Sequence, residues 1–112
     1  MNRLTTTPVV VHNEARSRYE ILVGGERAGL TAYRDRGDQR VFYHTEVDEA
    51  FAGQGLAGQL VREALTHARA AGKRVVPVCR YVAKFLQRHE GFADLADPVT
   101  PDVLQWLRTE LD

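Results

Sequence analysis

The sequence predicts an α/β protein of the mixed α+β kind. An antiparallel meander comes first, then a strand, a glycine-rich loop, a helix, a strand, a second helix and a C-terminal helix. Three observations carry this reading. Up to Val47 the apolar residues fall in short β-rich runs, with a period of two at Tyr19, Ile21 and Val23, which puts alternate side chains on opposite faces of a strand. From Leu56 onward they recur at helical spacing instead. The short branched run "KRVVPVC", Lys73 to Cys79, then interrupts that spacing, with helical sequence on both sides of it.

Element by element, residues 1–7 read as a loose lead-in, and "VVVH", Val9 to His12, as a short β run. Tyr19, Ile21 and Val23 alternate with polar or smaller neighbours. Gly24-Gly25 supplies a two-residue turn that tolerates positive φ at both positions, a hairpin signal. The return strand runs from about Glu26 to Arg34, and "DRGD", Asp35 to Asp38, is a second turn. Gln39 to Val47 is rich in aromatic and branched residues, as strands are. In the first helix Leu56, Leu60, Val61, Ala64, Leu65 and Ala68 share one face, and Gly72 ends it as a C′ glycine. Lys73 to Cys79 is a buried strand parallel to the one ending at Val47, because a helix lies between them. Tyr81, Val82, Phe85, Leu86 and His89 share a face of the second helix. Thr100 caps the third, Pro101 fits its first position, and Leu104, Leu107 and Leu111 form its stripe with Trp106 flanking. Repeats, low-complexity tracts and linkers are lacking, and 112 residues suit one domain with a core rather than two. The expectation is a single domain over residues 1–112.

Composition narrows the function classes. Lys plus Arg is 15 and Asp plus Glu is 15, so the basic excess of a nucleic-acid binder is missing. Cys79 is the single cysteine; it forbids an internal disulfide and suits a reducing compartment. The start of the chain lacks the apolar run of a signal peptide, and no segment approaches the roughly 20 apolar residues of a membrane span. A cytoplasmic protein with no membrane partner is expected. No His/Cys cluster has metal spacing, so no metal is expected either. Nothing in the pattern specifies an oligomeric state.

The stretch "GQGLAGQL", Gly53 to Leu60, fits three phosphate-binding templates. A P-loop needs a lysine and a Ser/Thr where this chain has Gln59 and Leu60, and leucine does not ligate magnesium. The dinucleotide fingerprint expects an acidic residue about 20 positions on, and Val75 to Arg80 contains none. Arg80 could stand in for the NADP variant, yet too little chain follows Cys79 for the rest of a doubly wound sheet, since one βαβ unit takes about 30 residues. An oxidoreductase is therefore a distant reading. The third template is a glycine-rich turn opening a helix whose free N–H groups face an anion. Gly53 and Gly55 let the backbone approach closely, and a pyrophosphate is a natural guest.

With that template, "HTEVDEAFAGQGLAGQLVREAL", His44 to Leu65, resembles the GNAT superfamily of acetyl-CoA-dependent N-acetyltransferases. The superfamily signature Q/R-x-x-G-x-G/A falls on Ala52 to Ala57. The end of the run Gln39 to Val47, His44 to Val47, and the residues Val76, Pro77, Cys79, Tyr81 and Val82 look like a small single-domain subgroup. The resemblance spans about Val9 to Phe92. It implies a GNAT-like fold, acetyl-CoA as co-substrate, and direct transfer of the acetyl group to an amine in a ternary complex. It also implies a pyrophosphate held by Gly53, Gln54, Gly55, Leu56, Ala57 and Gly58. The strand would splay at Val47, whose N–H would meet the thioester oxygen. The chain departs from the family at two places. Ala52 stands where Gln or Arg is usual, and Gln87 where many members carry an acidic tyrosine.

Amide formation needs a deprotonated amine, although a lysine-like ammonium has a pKa of ~10.4. Glu46 is the candidate base, directly or through water; a surface strand carboxylate is the plain alternative. His44, with an ordinary pKa of ~6.5, is a second candidate base, or a packing or substrate-contact residue. Cys79 and Tyr81 are candidates to protonate the leaving thiolate, and Cys79 could instead be a nucleophile. The plain readings are a small buried thiol and a core aromatic packed on Phe85. Arg80, Lys84 and Arg88 recur every fourth residue; they form a solvated basic edge or a contact to the 3′-phosphate of CoA or an acidic substrate. The acceptor amine can belong to a peptide, a polyamine or a small metabolite. The rival function is a non-catalytic module that binds CoA or a peptide, motivated by Ala52 and the missing tyrosine.

Overall fold

The computed structural model describes residues 7–112, so most of the expected lead-in, residues 1–6, lies outside the described residues. Five strands form one sheet: β1 (Val9–Asn13), β2 (Arg18–Val23), β3 (Glu26–Arg36), β4 (Gln39–Val47) and β5 (Arg74–Pro77). Their order across the sheet is their order in the chain. The first four pair antiparallel, and β5 pairs parallel to β4 from Gln39↔Arg74 to Phe42↔Pro77. Helix α1 (Leu56–Ala70) links β4 to β5, and α2 (Arg80–Arg88) and α3 (Pro101–Leu111) follow. The mixed sheet and the order of elements are those the sequence predicts. No helix among the described residues is long and apolar enough to cross a membrane.

Local chemistry explains the junctions. Gly24 and Gly25 adopt φ of 60° and 83°, the double positive turn that a tight hairpin needs. The second turn is shorter than the sequence suggests. Asp35 and Arg36 stay in β3, and Gly37-Asp38 alone make the turn. The reason is that Asp35 lies opposite Arg40 across the ladder and binds its guanidinium through both oxygens, at 2.8 and 3.0 Å. At the end of α1, Gly72 takes φ 74° while its N–H and that of Lys73 bond the carbonyls of Arg69 and Ala68. This is the Schellman closure.

The sheet is covered on both faces. All six residues of the predicted α1 stripe are buried and pack on Tyr19, Ile21, Tyr33, Phe42 and Val75. On the other face Val41 and Val76 meet α3 through Val103 and Leu107. Here the predicted stripe needs correction, because Leu104 and Leu111 are exposed. Arg36 on β3 bonds Asp102 at 2.6 Å and lies 5.6 Å from the centre of the Trp106 ring. Those contacts flank the apolar one, in which Val103 and Leu107 rather than Leu104 and Leu111 face Val41 and Val76. The Thr100 hydroxyl accepts from Val103 N–H, as its capping role requires.

One polar cluster lies inside the α1 layer. Arg40 is only 4% exposed. It donates to Asp35 and to the Tyr19 hydroxyl (2.7 Å), and it lies 4.2 Å from the Tyr33 ring centre. The Tyr19 hydroxyl in turn meets His67 Nδ1 at 2.7 Å, and the Tyr33 hydroxyl meets His12 Nε2 at 2.5 Å. Every buried side-chain nitrogen and oxygen among the described residues has a partner.

Candidate active site

The sheet opens where β5 ends. The last bond between the two segments runs from Cys79 N–H to the Phe42 carbonyl at 2.8 Å, and β4 continues to Val47 without a strand on that side. Asp48 N–H bonds the Ala28 carbonyl at 2.7 Å, and Gly29 faces Val47. The alternation of an antiparallel ladder therefore turns the Val47 N–H and C=O away from β3, toward the open edge. Side chains alternate too. Thr45 and Val47 lie opposite Thr31 and Gly29, on the α1 face, while His44 and Glu46 lie opposite Ala32 and Leu30, on the other.

After β4 the chain makes a 3-10 turn, Glu49–Phe51, capped by the Asp48 carboxylate accepting from Ala50 N–H. Gly53 and Gly55 then take φ of 80° and 71°, a region closed to most side chains. Gly55 is the N-cap of α1 and offers no side chain, and the first helical bond runs from Gln59 N–H to the Gly55 carbonyl. The amides of Leu56, Ala57 and Gly58 are thus helix N-terminal donors with no side-chain cap. They border a cavity of about 250 Å³ whose walls include Val47, Phe51, Gly53 and Tyr81.

A second cavity, about 380 Å³, lies between α1 and α2 and shares Gly58 and Tyr81 with the first. Phe85 and His89, stacked with ring centres 3.9 Å apart, form part of its wall. Arg62, Lys84 and Arg88 line it. None of these three is held by a carboxylate among the described residues, a condition they share with Arg16, Arg27, Arg34, Arg80 and Arg108. Arg62 lies instead over the Phe85 ring, 5.5 Å from its centre. Cations around one cavity and uncapped helix amides around its neighbour are groups able to offset negative charge.

The structure brings some of the sequence-predicted residues together and separates others. His44 Nε2 and Glu46 Oε1 are 2.7 Å apart, both half exposed. Val47, Gly53, Gly55, Leu56, Ala57, Gly58 and Tyr81 all border the first cavity. Gln54 lies in the loop without bordering it. Tyr81 is 40% exposed and is not the core aromatic that helical spacing allowed. Cys79 does not end a strand. The ladder stops at Pro77, and Cys79 is the N-cap of α2, partly buried, with its Sγ 3.3 Å from Thr45 Oγ1. It borders neither cavity. Among the solvated-edge candidates, Lys84 and Arg88 enter the second cavity and Arg80 does not.

Gly29 was overlooked in the sequence, although a glycine in mid-strand signals a close backbone approach. A Cβ there would come within 2.7 Å of the Glu46 carbonyl oxygen and 3.2 Å of Val47 Cα. The missing side chain sets the position of the β4 tip. Gly29→Ala is expected to destabilise the fold by about 2 kcal/mol through overpacking, read as a lower urea midpoint at unchanged slope.

Comparison with known proteins adds three findings. The family profile described as GCN5-related N-acetyl-transferase matches residues 18–95, most of the chain. No curated protein matches it. Among solved structures, the solution structure of a GCN5-like protein from Staphylococcus aureus superposes with a TM-score of 0.63 at 18% identity. The match covers 83% of this chain and 91% of that one. At that identity the likeness is one of fold.

Proposed function

The chain belongs to the GCN5-related N-acetyltransferase family, and from that premise we propose that it is a single-domain enzyme moving an acetyl group from acetyl-CoA to an amine. The observation that carries the reading is that the two cavities are neighbours, with Gly58 and Tyr81 in the walls of both. The α1 amides suit a pyrophosphate. Arg62, Lys84 and Arg88 suit the remaining phosphate of CoA, and they offset the side chain that Ala52 lacks. The open edge of β4 suits the amides of a pantetheine arm, which leads a thioester toward Val47.

Each proton then has a place. Glu46 takes one from the attacking amine, with His44 hydrogen-bonded to it. The Val47 N–H faces the open edge and meets the negative charge that builds on the thioester oxygen. Tyr81, bordering both cavities, supplies a proton to the departing thiolate. The acceptor is a small-molecule or peptide amine approaching the face of the sheet that bears His44 and Glu46. A reducing cytoplasm suits the free thiol of Cys79.

Calorimetric titration with CoA tests the binding half. Wild-type protein is expected to bind, and Lys84→Ala/Arg88→Ala to bind about tenfold more weakly, with partial solvation tempering the loss of two charge-assisted contacts. No heat at millimolar CoA overturns the proposal. A panel of amines with acetyl-CoA tests the other half. Gln87, exposed on α2, stands where the resemblance implies a tyrosine and so favours a binding module instead. CoA binding without turnover on any amine would establish that rival.

A further inference from the structure

The second cavity has one titratable side chain in its wall that the transfer scheme leaves unused. His89 follows the last turn of α2, half-buried, with its ring stacked on that of Phe85. Its Nδ1 lies 2.8 Å from the Phe85 carbonyl oxygen. A carbonyl only accepts, so Nδ1 carries a proton whatever the charge on the ring. That bond satisfies one of the carbonyls left open at the end of a helix. Nε2 is therefore the ring atom that gains or loses a proton. It has no hydrogen-bond partner among the described residues, and none of their buried side-chain nitrogens lacks one. Nε2 is thus open, on a residue that lines the cavity. Arg62 faces the same space from α1, and Lys84, Arg88 and the Tyr81 phenol face it from α2. No carboxylate among the described residues lines it, and Glu90, next in the chain, is exposed and outside its wall.

We infer that His89 is a further phosphate ligand in the second cavity, and that its Nε2 takes up a proton as the phosphates bind. The inference rests on the proposed function for its ligand, CoA, and adds to it one binding residue and a pH dependence. In this step one proton moves from solvent to Nε2, and the N–H so formed donates to a phosphate oxygen, a charge-assisted bond beside three side chains that already carry positive charge. Binding that takes up a proton strengthens as pH falls. The ligand works in the opposite direction, because a phosphate monoester has a second pKa of about 6 and nearby cations favour its deprotonated form. Comparing the wild type with His89→Gln separates the two, since the ligand's share is common to both.

Calorimetric titration with CoA at neutral pH, in buffers of different ionisation enthalpy, counts the protons exchanged. The wild type is expected to take up about half a proton more than His89→Gln, which corresponds to an affinity that falls about threefold more per unit rise in pH. Nitrogen NMR of isotope-labelled histidines reads the ring itself, with His89 identified through its contact with the Phe85 ring protons. Without CoA, the neutral ring should show the Nδ1–H tautomer. Saturation with CoA at neutral pH should move its signal toward the imidazolium. Equal proton uptake in the wild type and folded His89→Gln, a neutral ring with its proton on Nε2, or a His89 signal that CoA leaves unchanged would each overturn the inference. CoA binding accompanied by any of these results leaves the proposed function standing, whereas no CoA binding overturns both. If His89→Gln does not fold, the tautomer and the CoA-induced change in the wild type decide alone.

Discussion

Glu46→Gln is expected to lower kcat for acetyl transfer about a hundredfold, the usual scale for losing a positioned general base, and to leave CoA affinity unchanged. The geometry separates the two readouts. Glu46 lies opposite Leu30, on the sheet face away from α1, whereas the helix amides and the basic cavity lie on the α1 side. His44→Gln is the companion variant. It removes the partner 2.7 Å from Glu46 Oε1 and is expected to cost less, because the carboxylate stays. A large loss in His44→Gln with Glu46→Gln near wild type would assign the base to the imidazole. Steady-state kinetics paired with CoA calorimetry make the comparison.

The second large effect concerns stability. Arg40→Ala is expected to destabilise the protein by about 3 kcal/mol, the lower end for breaking a buried ion pair, since Asp35 keeps some access to water. The Arg40 side chain is 5% exposed, and its guanidinium serves three groups at once: the Asp35 carboxylate, the Tyr19 hydroxyl and the Tyr33 ring. Alanine leaves the carboxylate without its main donor. The same cluster predicts an acid response in two stages. Burial, then the His67 and Arg40 charges, hold the His12 pKa below 6.5. The unfolded chain therefore takes up that proton first, and stability falls as pH drops below about 6.5. Burial works to raise the Asp35 pKa, but its bonds to Arg40 and the nearby Lys73 outweigh it and hold the carboxyl below 3.8. That contribution is present above the unfolded value and is lost as pH falls through the folded one. Urea midpoints from pH 8 to pH 3 should show both stages in the wild type. In Arg40→Ala the second should be much reduced.

Periodicity made the layered part of this fold legible. The α1 stripe and the two glycine closures follow from side-chain spacing and backbone freedom alone, so they could be read directly. What could not be read depended on partners distant in the chain. Asp35 and Arg36 resemble turn residues until Arg40 is opposite one and α3 against the other. Leu104 looks as apolar as Val103, and which of them faces the sheet depends on contacts with Val41 and Val76, distant in the chain. In the site, Gly53 to Gly58 announced themselves because the glycines are needed for backbone reasons. Tyr81 and Cys79 are two residues apart, and spacing could not say that one borders the cavities and the other turns toward Thr45. The cations of the second cavity lie on two helices, so no single stretch displays them.

The equality of strand order and chain order bears on how the molecule assembles. Each of the first three pairings joins neighbours through a short connection, whereas β5 can join only after α1 has formed and crossed over the sheet. Closing long loops carries the larger entropy penalty, so β5 and α2 should dock last and detach first. In native-state hydrogen exchange their amides would then open without unravelling the meander, and a ligand bridging α1 and α2 would slow that opening selectively. Under the proposed function, the elements that detach first would be the ones CoA holds in place.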